Sequence, residues 1–521
     1  NFLCIEMRHL FYSFLLLFCA HLPLFAQKHD YIWIIGDNNK PRDTIRGGTT
    51  LDFNYSPGKI YYDYRTINMF QLNSSICDSS GRLVAYTNGC DIGGPGDSLL
   101  ENGADINVGE LHTEQCDDLD DGYVAGSQSS YMLPLAGTNQ YGLIYKHSEL
   151  IRNANGAVID LYISELRYAL IEQRRPPQRN RVTKKEITIL HDSLSYGLMA
   201  AVKHANGRDW WIVVPRRRGN TFYVLGLSAA GFTDTIVQTI GLRRNPKGEG
   251  SGQMVFAPDG NKLYMTNTYD PVLVYDFDRS TGLFTGFSTI PFVYGEGLEA
   301  EIGCEISPNG RYLYLAARLS MWQFDLQAPD ISASQTLVGK WVQQYVSAIP
   351  TIFVRLQLGP DCKIYGLGGG DTRYYHVIHN PDNGGTDCNV HLNGIKLPTY
   401  SGASMPFFPN YRLGPLGDPG LPCSPVVSSG GAVVSPLPVV SVFPNPASDH
   451  VKITLNQAVS GALHWVLCDA LGRTVRTLRL SAAESDWQQT DVADLAAGVY
   501  FWAVRGEDGR GVLTGKIMVQ H

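Results

Sequence analysis

Charged residues are scarce in this chain: Asp, Glu, Lys and Arg make up 17% of its 521 residues. The 42 basic residues are outnumbered by 49 acidic ones, and the net charge of −7 gives no general attraction to nucleic acid. Beyond the N-terminus, no apolar run approaches the ~20 residues that a membrane-spanning helix requires. The sequence therefore excludes a multi-span membrane protein and predicts no nucleic-acid partner.

The motifs of several familiar sites are missing too. No Cys-x-x-Cys pair occurs, which argues against a zinc ribbon or a thioredoxin-like site. Neither Gly-x-Ser-x-Gly nor His-Glu-x-x-His occurs, so two common hydrolase signatures are absent. The glycine-rich stretches 248–252 and 366–370 open no predicted helix, which argues against a nucleotide cradle. We expect no cofactor and no metal ligand set.

Glycine and aromatic residues, by contrast, are plentiful. The chain has 54 Gly, 28 Tyr and 20 Phe, a composition that favours short strands joined by tight turns. Hydrophobic residues make up 44%, which is enough to build a buried core. An all-β fold is the expectation.

The N-terminus has the pattern of a secretory signal peptide. A basic pair precedes the apolar run 10–20, and a small residue, Ala26, stands before Gln27. We expect residues 1–26 to be the signal peptide, with Met7 as its start and cleavage between Ala26 and Gln27. The mature chain then has no transmembrane segment.

Cysteine usage agrees with export. Ten cysteines are present, and eight remain once the two in the leader are removed. Some of them should pair in an oxidising compartment, although eight cysteines allow ~105 complete pairings and the sequence does not choose among them. Cys468 follows a strand-like segment, where a buried free thiol and a bridge both remain open.

A repeat determines the predicted architecture. A turn residue followed by an aromatic-rich strand occurs six times, at Gly81, Gly137, Gly207, Gly260, Gly310 and Cys362. The spacings are 56, 70, 53, 50 and 52 residues. A period near 50 with several strands per unit is typical of a β-propeller, in which each blade is a four-stranded sheet. The longest spacing contains an insert, 174–185, which we predict to be an exposed loop.

Blade number follows from how the ring would close. In the best-preserved units, 256–260 and 306–310, a strand end runs into a Pro-Asp-Gly or Pro-Asn-Gly turn. A further blade is expected to combine the early strand 31–35 with the closing segment around Phe407 and Phe408, so that no sheet edge is left open. We predict seven blades, with six and eight as alternatives.

The repeat units resemble the YVTN-type and WD-repeat-like propellers of secreted bacterial proteins. The resemblance is clearest at 256–277 and 306–324, and it implies a propeller domain over residues 27–412. It implies no particular activity, because propellers host binding, hydrolysis and scaffolding alike.

A boundary and a second domain follow the propeller. Residues 413–435 are rich in Gly, Pro and Ser, the composition of a linker. Residues 436–521 have the alternating pattern of a small Ig-like β-sandwich with six or seven strands. The clearest strands are predicted at 451–455, 464–468, 474–478, 499–504 and 511–519.

The tail also carries an ordered set of motifs. It opens with Pro-Asn-Pro, continues with Asp-Leu-x-x-Gly-x-Tyr and ends in a strand that contains lysine. This pattern resembles the type A C-terminal sorting domain of the type IX secretion system. The positions concerned are Pro444, Asn445, Pro446, Gly472, Asp494, Leu495, Gly498, Tyr500 and Lys516.

The resemblance implies that the type IX secretion machinery is a partner. It also implies that the protein is secreted from a Gram-negative bacterium or held on its outer cell surface. An ordinary Ig-like accessory domain is the alternative interpretation of the tail.

Candidate chemistry in the propeller is limited. His204 and Asp209 could pair for acid–base work, and bonding within one blade is the plainer interpretation. Basic residues at 174–185 and 216–218 could bind an anionic glycan or lipopolysaccharide, or form a solvated surface. The acidic cluster at 114–121 fails the spacing of an EF-hand and is interpreted as a solvated loop.

The sequence thus predicts a secreted or surface-displayed β-propeller that acts as a binding or adhesion module for a protein or glycan. One alternative is a propeller enzyme, a lactonase or glycan-active hydrolase whose loops converge on the central channel. A structural component of the cell envelope is another. No catalytic residue is assigned.

Overall fold

All six repeated turn residues adopt a left-handed backbone in the computed structural model of the chain. Their φ angles lie between 63° and 87°, and Cys362 is the one member that is not glycine. Glycine reaches this region without a steric penalty, which explains why it recurs here. In every case the turn leads into the second strand of an antiparallel sheet, so the repeat marks the same place in each sheet.

The chain divides into two units, Asn1–Val426 and Val427–His521. The predicted signal peptide and Ala26 lie outside the described residues, as do Pro444 and most of the predicted linker. In the first unit the structure describes residues 27–36, 46–70, 72–233, 235–294, 301–341, 351–369, 372–402, 405–418, 420 and 422–423. In the second it describes residues 440–443, 445–455, 463–469, 472–480, 487–506 and 511–520.

Within its described residues, the first unit contains seven antiparallel sheets, numbered here as blades 1 to 7 in chain order. Blade 1 consists of β1 (Ile32–Ile35), β2 (Thr49–Asp52) and β3 (Lys59–Tyr62). Blade 2 consists of β4 (Ser74–Cys77), β5 (Leu83–Thr87), β6 (Ile92–Gly94) and β7 (Ser98–Leu99). Blade 3 consists of β8 (Ser130–Pro134), β9 (Gln140–Arg152), β10 (Val158–Glu172) and β11 (Arg181–Leu194). Blade 4 consists of β12 (Ala200–Lys203), β13 (Trp210–Pro215), β14 (Thr221–Ser228), β15 (Gly231–Phe232) and β16 (Ile236–Thr239).

Three further blades complete the set. Blade 5 consists of β17 (Met254–Phe256), β18 (Lys262–Met265), β19 (Val272–Asp278) and β20 (Leu283–Ile290). Blade 6 consists of β21 (Ile302–Ile306), β22 (Tyr312–Ala317), β23 (Ser320–Asp325) and β24 (Thr336–Lys340). Blade 7 consists of β25 (Phe353–Leu358), β26 (Ile364–Gly368), β27 (Tyr374–Ile378) and β28 (Val390–Lys396). The predicted all-β propeller with seven blades is confirmed.

Helical segments are short. Glu110–His112 is one turn of α-helix and continues as a π-helical stretch, Thr113–Asp118. Turns of 3₁₀-helix occur at Pro246–Gly248, Ser332–Ser334 and Gly385–Cys388. Among the described residues, no helix is long and apolar enough to cross a membrane.

Apolar clusters between neighbouring blades hold the ring together. Trp210 packs towards blade 3 and Trp211 towards blade 5, because successive side chains of a strand face opposite ways. The ring closes where Trp33 of blade 1 shares a cluster with Tyr365 of blade 7. The Thr49 and Thr399 hydroxyls are 2.7 Å apart at the same junction. Both tryptophans of β13 are buried, so neither forms an exposed platform for a sugar.

Two details of the predicted ring are wrong. Blade 1 takes no strand from the closing segment: β2 and β3 supply its partners, while Phe407 and Phe408 lie in no strand. The insert is a loop only as far as Asn180, because β11 begins at Arg181. Charged, half-exposed side chains are tolerated on an edge strand, which explains why this part of the insert has the composition of a loop.

The second unit is a two-sheet sandwich. One sheet has the order β29 (Val440–Phe443), β30 (His450–Leu455) and β33 (Trp487–Asp491). The other has the order β32 (Thr474–Leu480), β31 (Leu463–Cys468), β34 (Gly498–Gly506) and β35 (Gly511–Val519). Val451 and Ile453 of the first sheet share a core with Trp465 and Leu467 of the second. The predicted sandwich is confirmed, with seven strands in the part of the tail that the structure describes.

Of the eight cysteines among the described residues, four form disulfides, Cys90–Cys116 and Cys362–Cys423. Cys468 is a half-buried free thiol. The second disulfide attaches part of the predicted linker to the propeller, and Leu413 at the start of that segment is buried. The composition of 413–423 is that of a linker, but Leu413 and Cys423 are buried within the first unit.

Candidate functional site

The tail motif that opens the sandwich holds the last strand in place. Asn445 Oδ1 accepts a hydrogen bond from the Met518 N–H at 2.9 Å, and its Nδ2 donates to the Lys516 carbonyl at 3.3 Å. Two residues later, Ala447 forms a parallel bridge with Val519. Asn445 and Ala447 therefore bind the backbone of β35, which explains why these two distant parts of the motif occur together.

The other motif residues form the turns and core of the same sheet. Gly472 has a φ of 78° in the hairpin between β31 and β32. Asp494 pairs with Arg476, and Leu495 packs on the core of the sandwich. Tyr500 is buried, and its hydroxyl donates to the Ala496 carbonyl at 2.8 Å. These positions thus lie in the turns and the core of the sandwich.

The outward face of the final hairpin is apolar and exposed. Val499, Phe501 and Met518 are 43%, 52% and 46% exposed. Met518 lies opposite Val499, and the exposed Lys516 lies opposite Phe501. This strip is a surface of the tail that a partner can contact without disturbing its core.

The central channel of the propeller is crossed by the chain's own closing segment, 405–413. The Phe408 N–H donates to Gln357 of blade 7 at 3.1 Å, and Tyr411 donates to the Met132 carbonyl of blade 3 at 2.7 Å. Asn410 donates to the Pro258 carbonyl beside blade 5 at 2.9 Å. A short segment reaches blades on opposite sides of the ring only by lying across its axis.

Buried polar side chains fill the channel beneath that segment. The cavity left there is about 60 Å³, and Gln128, Gln253 and Glu305 are among its lining residues. Each glutamine hydrogen-bonds to the backbone of another blade. Glu305 accepts backbone N–H bonds at 2.9 and 2.8 Å, yet burial raises its pKa to about 7.

Arg355 of blade 7 connects segments that belong to other blades. Its side chain is only 2% exposed and lies 3.1 Å from the Glu301 carboxylate. It also donates to Ser127 of the segment before blade 3 at 3.3 Å, and to the Gly250 carbonyl at 3.4 Å. The groups that converge on the axis therefore bond to one another.

The predicted acid–base pair lies in the turn before β13. His204 Nδ1 accepts the Asn206 N–H at 3.0 Å, and the Asp209 carboxylate accepts the Asn206 amide at 2.7 Å. The His204 ring also packs against Trp211 at 5.3 Å. Both side chains thus support the turn through Asn206.

A basic groove lies between blades 2 and 3, and we call it the arginine groove. Its volume is about 1070 Å³, and its lining residues include four arginines but no carboxylate: Arg82, Arg174, Arg175 and Arg179. Asp78 holds Arg82 at 2.8 Å, and Glu101 holds Arg174 at 2.7 Å. Arg175 and Arg179 are exposed and have no ion-pair partner among the described residues.

The walls of the groove are fixed to each other. A parallel bridge joins Glu101 to Arg181, and Asn102 donates to the Val182 carbonyl at 3.0 Å. The Gln173 side chain donates a hydrogen bond at 3.1 Å to Asp78, the carboxylate that also pairs with Arg82. Hydrogen bonds from Ser80, Arg82 and Gln173 outweigh the effect of burial and lower the pKa of Asp78 to about 2, so the carboxylate stays charged.

Comparison with known proteins identifies the tail. Residues 441–520 match the family described as the secretion system C-terminal sorting domain. No curated protein sequence is a significant match.

Among solved structures, PorZ, a surface component of the type-IX secretion system of Porphyromonas gingivalis, is 11% identical with a TM-score of 0.29. That match covers 91% of this chain and 68% of PorZ. The Dos1 propeller is 10% identical with a TM-score of 0.34, covering 73% and 95%. A gluconolactonase from Xanthomonas campestris is 12% identical with a TM-score of 0.25, covering 47% and 85%.

The seven sheets and their closed ring define a β-propeller protein. It carries a type IX C-terminal sorting domain, and it is exported to the cell surface or to the outside of the cell.

Proposed function

We propose that the exported propeller is a binding module that holds an anionic glycan in the arginine groove. The observation that carries this proposal is the pair of exposed, unpartnered guanidinium groups, Arg175 and Arg179, on the wall of a groove of about 1070 Å³. Arginine presents a planar fork of donors that matches a carboxylate, sulfate or phosphate group. The volume is suited to an oligosaccharide segment.

The groove also supplies donors for neutral parts of a sugar. Asn139 and Gln178 line it beside the arginines. Amide side chains bond sugar hydroxyls, while the arginines select for negative charge. Because Arg82 and Arg174 are already held by carboxylates, their geometry is set before a ligand arrives, and the binding entropy cost falls.

The enzyme alternative predicts chemistry at the central channel. The channel cavity, at about 60 Å³, is far smaller than the arginine groove of about 1070 Å³. The closing segment lies over it, and its Tyr411 is 1% exposed. These features favour binding at the outside of the ring over catalysis at its axis.

The experiment compares an oligogalacturonate with a neutral malto-oligosaccharide of the same length by isothermal titration of the full chain. We expect the oligogalacturonate to bind and the neutral sugar to bind at least ~10-fold more weakly. The double variant Arg175→Gln/Arg179→Gln should weaken oligogalacturonate binding about 10- to 100-fold, because two charge-assisted contacts are lost.

A charge-matched control separates the groove from the overall charge. Lys247 and Lys396 are exposed and lie outside the groove, so Lys247→Gln/Lys396→Gln removes the same two charges elsewhere. The control should bind like the wild type. Equal weakening in both double variants, or no binding to any polyanion, would contradict the proposal.

A further inference from the structure

Three potential metal ligands that are separated in sequence come together beside blade 2. Asp105, His112 and Asp117 each offer one ligand atom, and these atoms all lie within 4.8 Å of one another. We call this group the His112 cluster. It lies in the segment between β7 and β8, where the sequence predicts only a solvated acidic loop.

The histidine at its centre is oriented for ligation. The His112 side chain is 6% exposed, and its Nδ1 lies 2.8 Å from the Ile106 carbonyl oxygen. A carbonyl only accepts hydrogen bonds, so Nδ1 carries a proton, and Nε2 is the ring nitrogen left to face a ligand. This backbone bond to the far ring nitrogen is the usual way in which proteins orient a histidine ligand.

The carboxylates of Asp105 and Asp117 both lie near His112 Nε2. His112 Nε2 lies 3.6 Å from Asp117 Oδ1 and 3.9 Å from Asp105 Oδ1, beyond hydrogen-bonding distance of either. One imidazole nitrogen and two carboxylate oxygens that converge without hydrogen-bonding to one another form a donor set that a cation can bridge. Ligands at ~2.1 Å from a common metal are ~3.0–3.5 Å apart, so a bound ion would shorten the two distances from His112 Nε2 by a few tenths of an ångström.

We propose that the His112 cluster binds one divalent transition-metal ion, zinc in the first place, with one nitrogen and two carboxylate ligands. Imidazole nitrogen suits zinc and is a poor ligand for calcium, which prefers an all-oxygen shell. The Asp105 and Asp117 side chains are 69% and 55% exposed, so water completes the coordination on the solvent side.

Covalent and hydrogen-bonded anchors hold the ligands. Cys116, next to Asp117, forms a disulfide with Cys90. Asp91, next to Cys90, accepts the Asp105 N–H at 2.9 Å. The Cys90–Cys116 disulfide thus helps to position both carboxylate ligands, Asp105 and Asp117. A bound ion would link these two residues through His112.

Titration of the full chain with zinc alone, after treatment with a chelator, tests the proposal. We expect the wild type to bind one more zinc ion than Asp117→Asn or His112→Gln, and zinc to raise the melting temperature of the wild type by several degrees. Asp117→Asn is the primary variant, because this exposed, nearly isosteric change should leave folding intact. Calcium should cause neither effect.

The matched control is His191→Gln. His191 is also 3.6 Å from a carboxylate, that of Glu165, but its side chain is 74% exposed and lies outside the cluster. The control should keep the wild-type zinc stoichiometry. Zinc stoichiometry that is the same in the wild type and in both cluster variants would overturn the proposal, as would calcium binding at this cluster in preference to zinc.

Discussion

Arg412 and Asp30 form a buried, two-pronged ion pair across 382 residues of sequence. Arg412 Nη1 lies 2.9 Å from Asp30 Oδ2 and Nη2 lies 2.5 Å from Asp30 Oδ1, with both side chains below 10% exposure. Asp30 immediately precedes blade 1, and Arg412 belongs to the closing segment. The pair therefore joins the beginning of the propeller to its end, in addition to the apolar contact between blades 1 and 7.

Removing one partner of this pair should destabilise the ring strongly. Arg412→Gln leaves the Asp30 carboxylate buried without its countercharge, which typically costs about 3–5 kcal/mol. We expect the urea midpoint of the first unit to fall accordingly. Arg311→Gln, which breaks the exposed pair with Asp325, should change the midpoint little. Equal effects of the two substitutions would contradict the role given to Arg412.

Cys362 combines a left-handed turn with a disulfide, and substitution can separate these roles. Both Cys362→Gly and Cys362→Ala break the bond to Cys423 and should cost about 4 kcal/mol, because the bridge closes a 61-residue separation. Glycine adopts the φ of 63° freely and alanine does not. The glycine variant should therefore be about 1 kcal/mol more stable than the alanine variant in chemical denaturation. Indistinguishable stabilities would argue against a strained turn.

Glu305 should make the propeller less stable as the pH rises through the acid range. Burial raises its pKa from 4.5 to about 7 in the folded state, so the folded chain holds this proton more tightly than the unfolded chain. The favourable contribution is complete below about pH 4.5 and is lost by about pH 7, an effect of up to about 3 kcal/mol. Measured against pH, the free energy of unfolding of Glu305→Gln should lack this fall.

The control for that profile is Glu301→Gln. Glu301 is 51% exposed beside Arg355. Its substitution should leave the decline between about pH 4.5 and 7 in place. A decline that persists in Glu305→Gln would show that another group causes it.

Export should depend on the two hydrogen bonds between Asn445 and the backbone of β35. Deletion of residues 436–521 should leave the propeller in the periplasm, because the sorting domain is gone. Asn445→Ala removes both bonds to the last strand and should reduce secretion, whereas Ser448→Ala, at an exposed position nearby, should not. Immunoblots of the periplasm and the culture medium measure this. Normal secretion of the truncated chain would contradict the role of the tail.

Local sequence was sufficient for the features that repeat. The turn glycines predict the second strand of blades 2 to 6 because a positive φ at that turn is a local steric requirement. The position of Cys362 in this series was also visible, since it follows the same strand end. The strands of the sorting domain were predictable because turns and alternation surround each motif residue.

Contacts across long separations were not predictable. The segment 405–413 has aromatic residues typical of a strand, and only the ring decides that Tyr411 reaches blade 3. The sequence predicted only the first strand of blade 1 correctly, because β2 and β3 lack the repeated turn. The His112 cluster has spacings of seven and five residues that match no motif, although Cys116 beside Asp117 was a usable signal.

A crystal structure of the full chain with bound oligogalacturonate tests the central claim most directly. The account predicts density in the arginine groove, with sugar carboxylates against Arg175 and Arg179, and a channel still occupied by the closing segment. A sugar ring in the channel beside Glu305, with Phe408 and Tyr411 displaced, would contradict it and favour an enzyme.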